Sequence, residues 1–247
     1  MPIRDKVILV TGAGSGLGRA LAAGFVTSGA VVVGIGRHEA SLSETSDAIR
    51  NSRFSVSTAD VSDFNAVTRV VQQAIGQYGK IDVLFNCAAV YPKTSFLEQE
   101  AKDWMETLAI NVGGVANCCR AVLPHMIRQK SGRILNVGSF ADRAPIPCSS
   151  AYAASKGALH ALTKAMAADL DDSCPEIVFV EWIPCHINTR MSDYTGLDPS
   201  VCVDWAINTI VAPRGRSNAM VFVQDRELAP APSRLSRIKS RLMFWRR

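Results

Sequence analysis

The chain has 247 residues and a mass of 26.6 kDa, enough for one large α/β domain or two small ones. Hydrophobic residues make up 48% and charged residues 20%, which excludes a collagen, a disordered chain and a disulfide-stapled miniprotein. The formal net charge is +5, but six of the 27 basic residues fall within 233–247. The rest of the chain, with 21 basic and 22 acidic residues, is nearly neutral, so nucleic acid is not expected as its partner.

The cysteines and histidines form no recognisable site. Seven cysteines is an odd number, no Cys-x-x-Cys occurs, and the four histidines are scattered along the chain. We therefore expect neither a disulfide framework nor a metal site, and we interpret the cysteines as small hydrophobic residues in a reducing compartment. Because residues 1–12 also lack the apolar core of a signal peptide, we expect a soluble cytoplasmic protein.

Short apolar runs alternate with helical patterns along the chain, and the runs are typical of strands buried on both faces of a parallel sheet. The predicted strands are Val7–Val10, Val31–Ile35, Phe54–Ser57, Ile81–Phe85, Ile134–Val137, Ile177–Trp182 and Met220–Val223. The predicted helices are 17–28, 40–50, 63–78, 99–129, 151–171 and 200–212. This order predicts one α/β domain over residues 1–228, a doubly wound, seven-stranded parallel sheet with helices on both faces.

Two short segments follow this domain. Residues 229–232 alternate Ala and Pro, which favours an extended linker. In residues 233–247, apolar side chains recur at three- and four-residue steps among arginines, which predicts a basic amphipathic helix. Such a helix suits an anionic membrane surface, so association with a membrane through this tail is one hypothesis. A disordered tail and a helix docked on a neighbouring subunit stay open.

A glycine-rich segment follows the first predicted strand directly. Residues 11–18 read TGAGSGLG, and a helical pattern begins within them. Glycines here allow a tight turn and let backbone N–H groups approach a pyrophosphate at the helix N-terminus, where the helix dipole favours anions. Because a strand precedes the segment and a helix follows it, we predict a dinucleotide site.

The end of the second predicted strand bears on the choice of cofactor. Sheets that bind NAD usually place an acid there for the ribose 2′-hydroxyl, whereas an arginine accommodates the 2′-phosphate of NADP. Gly36 occupies the position of the acid here, and Arg37 follows it. NADP(H) is therefore favoured. NAD(H) stays open, with Arg37 as a solvated loop residue and Glu39 as the ribose contact.

Tyr152 and Lys156 lie four residues apart at the start of a helical pattern, which places them on one helix face. A tyrosine hydroxyl is a weak base at neutral pH, but a neighbouring ammonium stabilises the phenolate and makes proton transfer feasible in both directions. Ser139 ends the fifth predicted strand, at the same edge of the sheet. Its hydroxyl can donate a hydrogen bond to a carbonyl oxygen as charge develops there.

Together, these features resemble the short-chain dehydrogenase/reductase family over residues 3–225. The residues that carry the resemblance are TGxxxGxG at 11–18, Asn111 in a long central helix, Ser139, and Tyr152-x-x-x-Lys156. The resemblance implies a single-domain Rossmann fold and hydride transfer between a nicotinamide and a carbonyl or secondary alcohol. It also implies a small-molecule substrate, such as a 3-oxoacyl compound or a ketone, and a homodimer or homotetramer.

The resemblance further implies roles for individual residues. Tyr152 is the implied general acid/base, and Ser139 the implied partner of the substrate oxygen. Lys156 would serve both the tyrosine and the nicotinamide ribose, while Asn111 would hold a water that relays protons to it. The implied cofactor-binding residues are Gly12, Ser15, Gly16, Leu17, Gly18, Arg37, Asp60, Val61, Asn86, Ala88, Tyr152, Lys156, Pro184, Ile187 and Thr189. Local alternatives are Asn111 as a polar bridge, Ser139 as a turn residue and Asp60 as a cap.

Two positions depart from the family's pattern. Its Asn-Asn-Ala-Gly is replaced by NCAA at residues 86–89, and its Pro-Gly by Pro184-Cys185. Both changes replace a glycine near the cofactor, where a side chain costs most if φ is positive. The sequence predicts an active NADP(H)-dependent oxidoreductase; the alternative, motivated by Ala89 and Cys185, is a nucleotide-binding sensor or scaffold with little activity. A serine hydrolase is disfavoured, because Ser139 lies in no G-x-S-x-G elbow.

Overall fold

The structure, a computed structural model, describes residues 2–215 and 219–228. The strands in these residues are β1 (Val7–Thr11), β2 (Val31–Gly36), β3 (Phe54–Thr58), β4 (Val83–Asn86), β5 (Gly132–Val137), β6 (Ile177–Ile183), β7 (Ala219–Val223) and β8 (Arg226–Glu227). They form one sheet with the order β3-β2-β1-β4-β5-β6-β7-β8. The first seven pair in parallel, and β8 pairs antiparallel with β7.

Helices connect the strands and cover both faces of the sheet. They are α1 (Gly16–Thr27), α2 (Glu39–Ile49), α3 (Phe64–Tyr78), α4 (Ala101–Leu108), α5 (Gly114–Arg128), α6 (Ser150–Leu170) and α7 (Cys202–Val211). A π-helical turn, Ala109–Gly113, joins α4 to α5. Single 3₁₀ turns cover Phe140–Asp142, Arg190–Ser192 and Pro199–Val201.

The sheet separates two apolar cores, because successive side chains of a strand point to opposite faces. In β1, Ile8 and Val10 belong to the first core, which includes residues of α1 and α7. Leu9, between them, belongs to the second core, which includes residues of α3, α5 and α6. With both faces covered, the strands need apolar residues at nearly every position, which explains the continuous runs in the sequence.

The predicted α/β fold with a doubly wound sheet is confirmed, but the predicted count of seven strands is wrong. The structure adds β8, which turns back from β7 and pairs Phe222 with Glu227. Gln224 lies in the turn between the two strands with a φ of 58°. A two-residue strand is too short to show a repeating pattern, so the sequence carried no signal for it.

The predicted helix over 99–129 is also divided, by the π-helical turn that contains Asn111. The Ala-Pro linker and the basic tail lie outside the described residues, so both stay predictions. No helix in the described ranges is both long and apolar enough to span a membrane.

Candidate active site

The glycine-rich loop joins β1 to α1 and is built from glycines that no other residue could replace without strain. Gly12 has a φ of 72° and Gly16 a φ of 49°, in the left-handed region that favours glycine. A Cβ at Gly18 would overlap the backbone oxygen of Gly12, so the start of α1 packs directly on the loop. A Cβ at Gly12 would in turn lie 3.0 Å from the backbone of Ala88.

This loop fits a dinucleotide phosphate group. Ser15 precedes α1 in an extended conformation, and its side chain makes no cap hydrogen bond, so the N–H groups of the first turn lack a side-chain cap. Such a helix N-terminus binds anions through its N–H groups and its dipole. Thr189, one of the implied cofactor-binding residues, lies beside the loop: a Cβ at Gly16 would come within 3.1 Å of its methyl group. Leu17 packs against the first core instead.

An arginine that sequence reasoning missed braces the loop from outside. The Arg19 guanidinium donates to the backbone oxygen of Gly14 at 2.6 Å and to the hydroxyl of Thr45 at 2.9 Å. The same guanidinium donates to a carboxylate oxygen of Glu44 at 2.9 Å. The Thr45 hydroxyl donates to the backbone oxygen of Ala13 at 3.1 Å, so α1, through Arg19, and α2, through Thr45, each hold one loop carbonyl in place. A helix-to-loop contact of this kind has no local sequence signature.

Gly36 is the last residue of β2 and Arg37 follows it, where the sequence predicts the adenosine ribose of the cofactor to bind. A Cβ at Gly36 would lie 3.1 Å from the side chain of Leu42, which leaves little room for an acidic side chain. The Arg37 guanidinium is about half exposed and lies 3.9 Å from carboxylate oxygens of both Asp60 and Glu106. These contacts are too long for hydrogen bonds, so the guanidinium can still bind a phosphate.

Asp60 forms a local turn with Ser62, as in the alternative in which this residue serves as a cap. Its carboxylate accepts from the backbone N–H of Ser62 at 2.8 Å and from the Ser62 hydroxyl at 2.7 Å. Burial opposes ionisation of this carboxyl, but the Ser62 hydrogen bonds and the charge of Arg37 outweigh it and lower the pKa of Asp60. Val61, which follows, is buried in the second core.

The segment after β4 is held against the glycine-rich loop. The Thr11 hydroxyl accepts from the backbone N–H groups of Cys87 and Ala88, each at 3.0 Å. Asn86 turns into the protein, where its amide donates to Asn136 at 2.8 Å. Burial, partly offset by the charge of Lys156, raises the pKa of the Cys87 thiol to about 12. This thiol is therefore protonated at neutral pH.

Tyr152 and Lys156 meet on the first two turns of α6, as their spacing predicts. The Lys156 ammonium is almost fully buried, donates to the backbone oxygen of Val137 at 2.7 Å and lies 5.4 Å from the centre of the Tyr152 ring. Ser139 follows β5 at the same edge of the sheet, and its hydroxyl oxygen accepts from the backbone N–H of Ala141 at 3.1 Å. The hydroxyl hydrogen of Ser139 is free to be donated elsewhere.

Asn111 lies in the π-helical turn and bridges two parts of the site. Its side-chain oxygen accepts from the backbone N–H of Val90 at 2.8 Å. Its amide donates to the Val90 oxygen at 2.9 Å and to the Ser155 hydroxyl at 3.0 Å, so both amide hydrogens are used. The polar bridge, the local alternative for this residue, is the arrangement that the side chain makes.

Two loops meet beside Tyr152, residues 87–100 after β4 and residues 184–198 after β6, and we call them the substrate-side loops. Tyr91 stacks on Tyr152, with ring centroids 4.6 Å apart and an interplanar angle of 22°. The Lys93 ammonium lies 5.8 Å from the Tyr91 ring and forms an ion pair with Asp193, from the loop that follows Thr189. Burial, opposed by Lys93, raises the pKa of Tyr91. Sequence analysis missed this ion pair because its members are 100 residues apart.

The two positions that depart from the family's pattern carry no backbone strain. Neither Ala89 nor Cys185 has a positive φ, so a side chain is compatible with the backbone at both. Near Pro184, Ile187 is buried and bridges to Leu197. In residues 2–215 and 219–228, no group of three His, Cys, Asp or Glu side chains is arranged to hold a metal ion.

Comparisons with known proteins agree with this geometry. A family model described as short chain dehydrogenase matches residues 6–199. The chain is 33% identical over 185 residues to the meso-2,3-butanediol dehydrogenase of Serratia marcescens, covering 72% of this chain and 73% of that protein. It is 32% identical over 225 residues to the 3beta-hydroxysteroid dehydrogenase of Mediterraneibacter gnavus, covering 84% and 79%. A solved structure of a candidate short-chain dehydrogenase/reductase from Burkholderia xenovorans superimposes with a TM-score of 0.80 at 23% identity, covering 91% and 96%.

The chain therefore belongs to the short-chain dehydrogenase family and is an oxidoreductase that uses a nicotinamide dinucleotide. The structural superposition, at this low identity, supports the fold.

Proposed function

We propose that the protein is an NADP(H)-dependent oxidoreductase that interconverts secondary alcohols and the corresponding ketones, with Tyr152 as the general acid/base. The observation that carries the proposal is the buried Lys156 ammonium 5.4 Å from the Tyr152 ring, at the sheet edge where the glycine-rich loop begins. When bound, a nicotinamide supplies or accepts a hydride at its C4 position.

The proton is moved by the chain's own residues. An ammonium has three N–H groups, and Lys156 uses one of them on the Val137 oxygen. The others can serve the Tyr152 oxygen and a ribose hydroxyl. The positive charge stabilises the phenolate, so Tyr152 can give its proton to a substrate oxygen that gains negative charge and take it back in the reverse direction.

Ser139 and Tyr91 support this proton transfer. Because the Ser139 oxygen already accepts from Ala141, its hydroxyl hydrogen can be donated to the substrate oxygen, where it stabilises developing charge. The stack of Tyr91 on Tyr152 favours one orientation of the Tyr152 ring. Asn111 contributes by tying the Val90 backbone to α6 through Ser155.

The preference for NADP(H) rests on the end of β2. Gly36 leaves no carboxylate for a ribose 2′-hydroxyl, and Leu42 crowds the space that one would need. Arg37 presents a half-exposed guanidinium whose fork suits a 2′-phosphate.

The substrate class follows from the two named relatives, one of which acts on a butanediol and the other on a hydroxysteroid. Their names share one chemical group, a secondary alcohol, although the rest of each molecule differs greatly. We propose that this chain acts on the same group, while its substrate-side loops select the remainder of the molecule.

Turnover assays with a Tyr152→Phe variant test the proposal. The wild-type protein is expected to consume NADPH with 2,3-butanedione or a 3-oxosteroid, and to reduce NADP⁺ with the corresponding alcohols. The variant should bind NADPH within about threefold of wild type but lose turnover by roughly 10²–10⁴-fold, the usual contribution of a general acid.

Tyr78→Phe is the matched control, because Tyr78 contacts Ser55 on the edge strand β3, four strands away from β5, which Lys156 contacts. It should leave turnover unchanged. Wild-type turnover in Tyr152→Phe would contradict the proposed role of Tyr152. Tight NADPH binding by a wild-type protein that turns over none of the probes would instead favour the sensor.

A further inference from the structure

A row of buried polar side chains crosses the sheet directly below the catalytic residues. Asn86, Asn136 and Glu181 are paired neighbours on β4, β5 and β6. They are 3%, 0% and 2% exposed. All three point to the face that α6 covers: Asn136 donates to Thr163 at 2.9 Å, and Glu181 contacts His160.

Glu181 interrupts the apolar pattern of its strand. Ile177 and Phe179 precede it on the same face of β6, and both belong to the second apolar core. Its carboxylate is hydrogen-bonded to the Nδ1 atom of His160, whose side chain is mostly buried. We refer to His160 and Glu181 as the buried pair. Charges are costly to bury, and apolar residues of similar volume often replace such a pair without loss of stability. Stability alone therefore gives weak reason for its presence.

The buried pair contacts both of the elements that carry catalytic side chains. On the β5 side, a Cβ at Gly138 would lie 2.6 Å from a Glu181 carboxylate oxygen, so the carboxylate rests against the residue before Ser139. On the α6 side, His160 lies one turn beyond Lys156 and two turns beyond Tyr152, on the same face of the helix.

We propose that His160 and Glu181 are positioning residues, which hold the Ser139 end of β5 and the Tyr152–Lys156 face of α6 in one relative geometry. The inference rests on the proposed function. Ser139 and Tyr152 must meet one substrate oxygen while Lys156 stays beside Tyr152, and errors of about 1 Å in such an arrangement reduce rates strongly. The Lys156 hydrogen bond to Val137 ties α6 to β5 at one point, and the buried pair adds a second link through β6.

A double variant, His160→Leu with Glu181→Met, separates positioning from stability. Both substitutions keep similar volume and leave no buried charge, so the melting temperature should stay within about 3 °C of wild type or rise. We expect kcat with 2,3-butanedione or a 3-oxosteroid to fall at least about tenfold. The KM for the carbonyl and the Kd for NADPH should change less than about threefold.

A second variant and a control sharpen this test. Glu181→Gln keeps an oxygen that can accept from His160, so it should retain kcat within about threefold of wild type. Asp171→Asn with Arg214→Gln removes an ion pair at the end of α6, away from the buried pair, and should leave kcat unchanged. A folded double variant with wild-type kcat would overturn the inference, as would a Glu181→Gln variant as slow as the double variant.

Hydrogen exchange measured by mass spectrometry gives a readout that does not depend on turnover. In the double variant, amides at 138–139 and 150–156 should exchange faster than in wild type, while those of α3 stay unchanged. Unchanged exchange at all of these amides would overturn the inference even without an active substrate. Turnover that does not depend on Tyr152 would count against the proposed function instead.

Discussion

The glycine-rich loop and the substrate-side loops solve the same problem, a precise turn beside a ligand, in different ways. In residues 11–18 the positive φ values belong to Gly12 and Gly16, which adopt them without cost. On the substrate side a glycine, Gly196, also has a positive φ, but so do Lys93, Asp193 and Tyr194, for which a left-handed conformation costs about 1 kcal/mol or more each.

The two regions also differ in the contacts that hold them in place. The glycine-rich loop is held through its backbone, by Arg19 and Thr45 on its carbonyl groups. The substrate-side loops are held through side chains, by the Tyr91–Tyr152 stack and the ion pair between Lys93 and Asp193. A loop whose shape is set by its backbone suits a ligand that a whole family binds, whereas a loop held by side chains can change with the substrate. Substitutions should therefore be severe in the first region and graded in the second.

The largest effect is expected for Gly18→Ala. The added methyl group would overlap the Gly12 oxygen, a backbone atom that cannot move aside without distorting the loop. An overlap this close with a backbone atom places the cost at or above the upper end of the usual range for overpacking, about 3 kcal/mol, so NADPH affinity should fall at least about a hundredfold in a titration followed by nucleotide fluorescence.

Gly76→Ala is the control for this substitution. A Cβ at Gly76 meets nothing within 4 Å, and the residue lies inside α3. Its affinity for NADPH should equal that of wild type, and its unfolding free energy should rise by about 0.5–1 kcal/mol. Equal affinities of the two variants would show that the loop tolerates a side chain and that the contrast between the regions is overstated.

An intermediate effect is expected for Arg37→Ala. Losing a charge-assisted contact to the 2′-phosphate should weaken NADPH binding by about 1.5–3 kcal/mol, roughly ten- to a hundredfold. Binding of NADH, which lacks that phosphate, should change less than about threefold. A variant whose preference for NADPH over NADH equals that of wild type would assign the ribose contact to another residue, such as Glu39.

The smallest effect is expected for Lys93→Met, which removes the ion pair to Asp193 but keeps an apolar stem. Exposed ion pairs contribute about 0.2–1 kcal/mol, so stability should change little. Without this ion pair the two substrate-side loops are held less firmly, so the KM for the carbonyl probe should rise a few-fold. The Kd for NADPH should not change.

Lys80→Met is the matched control, because Lys80 pairs with Asp82 at the opposite edge of the sheet, where β4 begins. Lys80→Met should alter neither the KM for the carbonyl probe nor the Kd for NADPH. If both lysine variants raise the KM equally, the Lys93–Asp193 contact has no special bearing on the substrate.

Features encoded within a few residues of each other were accessible from the sequence. The run Val7–Val10 indicated a strand buried on both sides, and TGAGSGLG directly after it indicated the turn into α1. The four-residue spacing of Tyr152 and Lys156 places them on one face because helix geometry alone requires it. The seven parallel strands of the sheet follow from the same local patterns.

Tertiary structure decided everything that depends on residues far apart in the chain. Asn111 was identified, but its partners Val90 and Ser155 were not. Glu181 interrupts an apolar strand, but the sequence does not show that it pairs with His160, 21 residues away, or that Lys93 pairs with Asp193, 100 residues away. Periodicity reports which face of an element is buried, whereas the contact that a given side chain makes there is set only when the elements pack together.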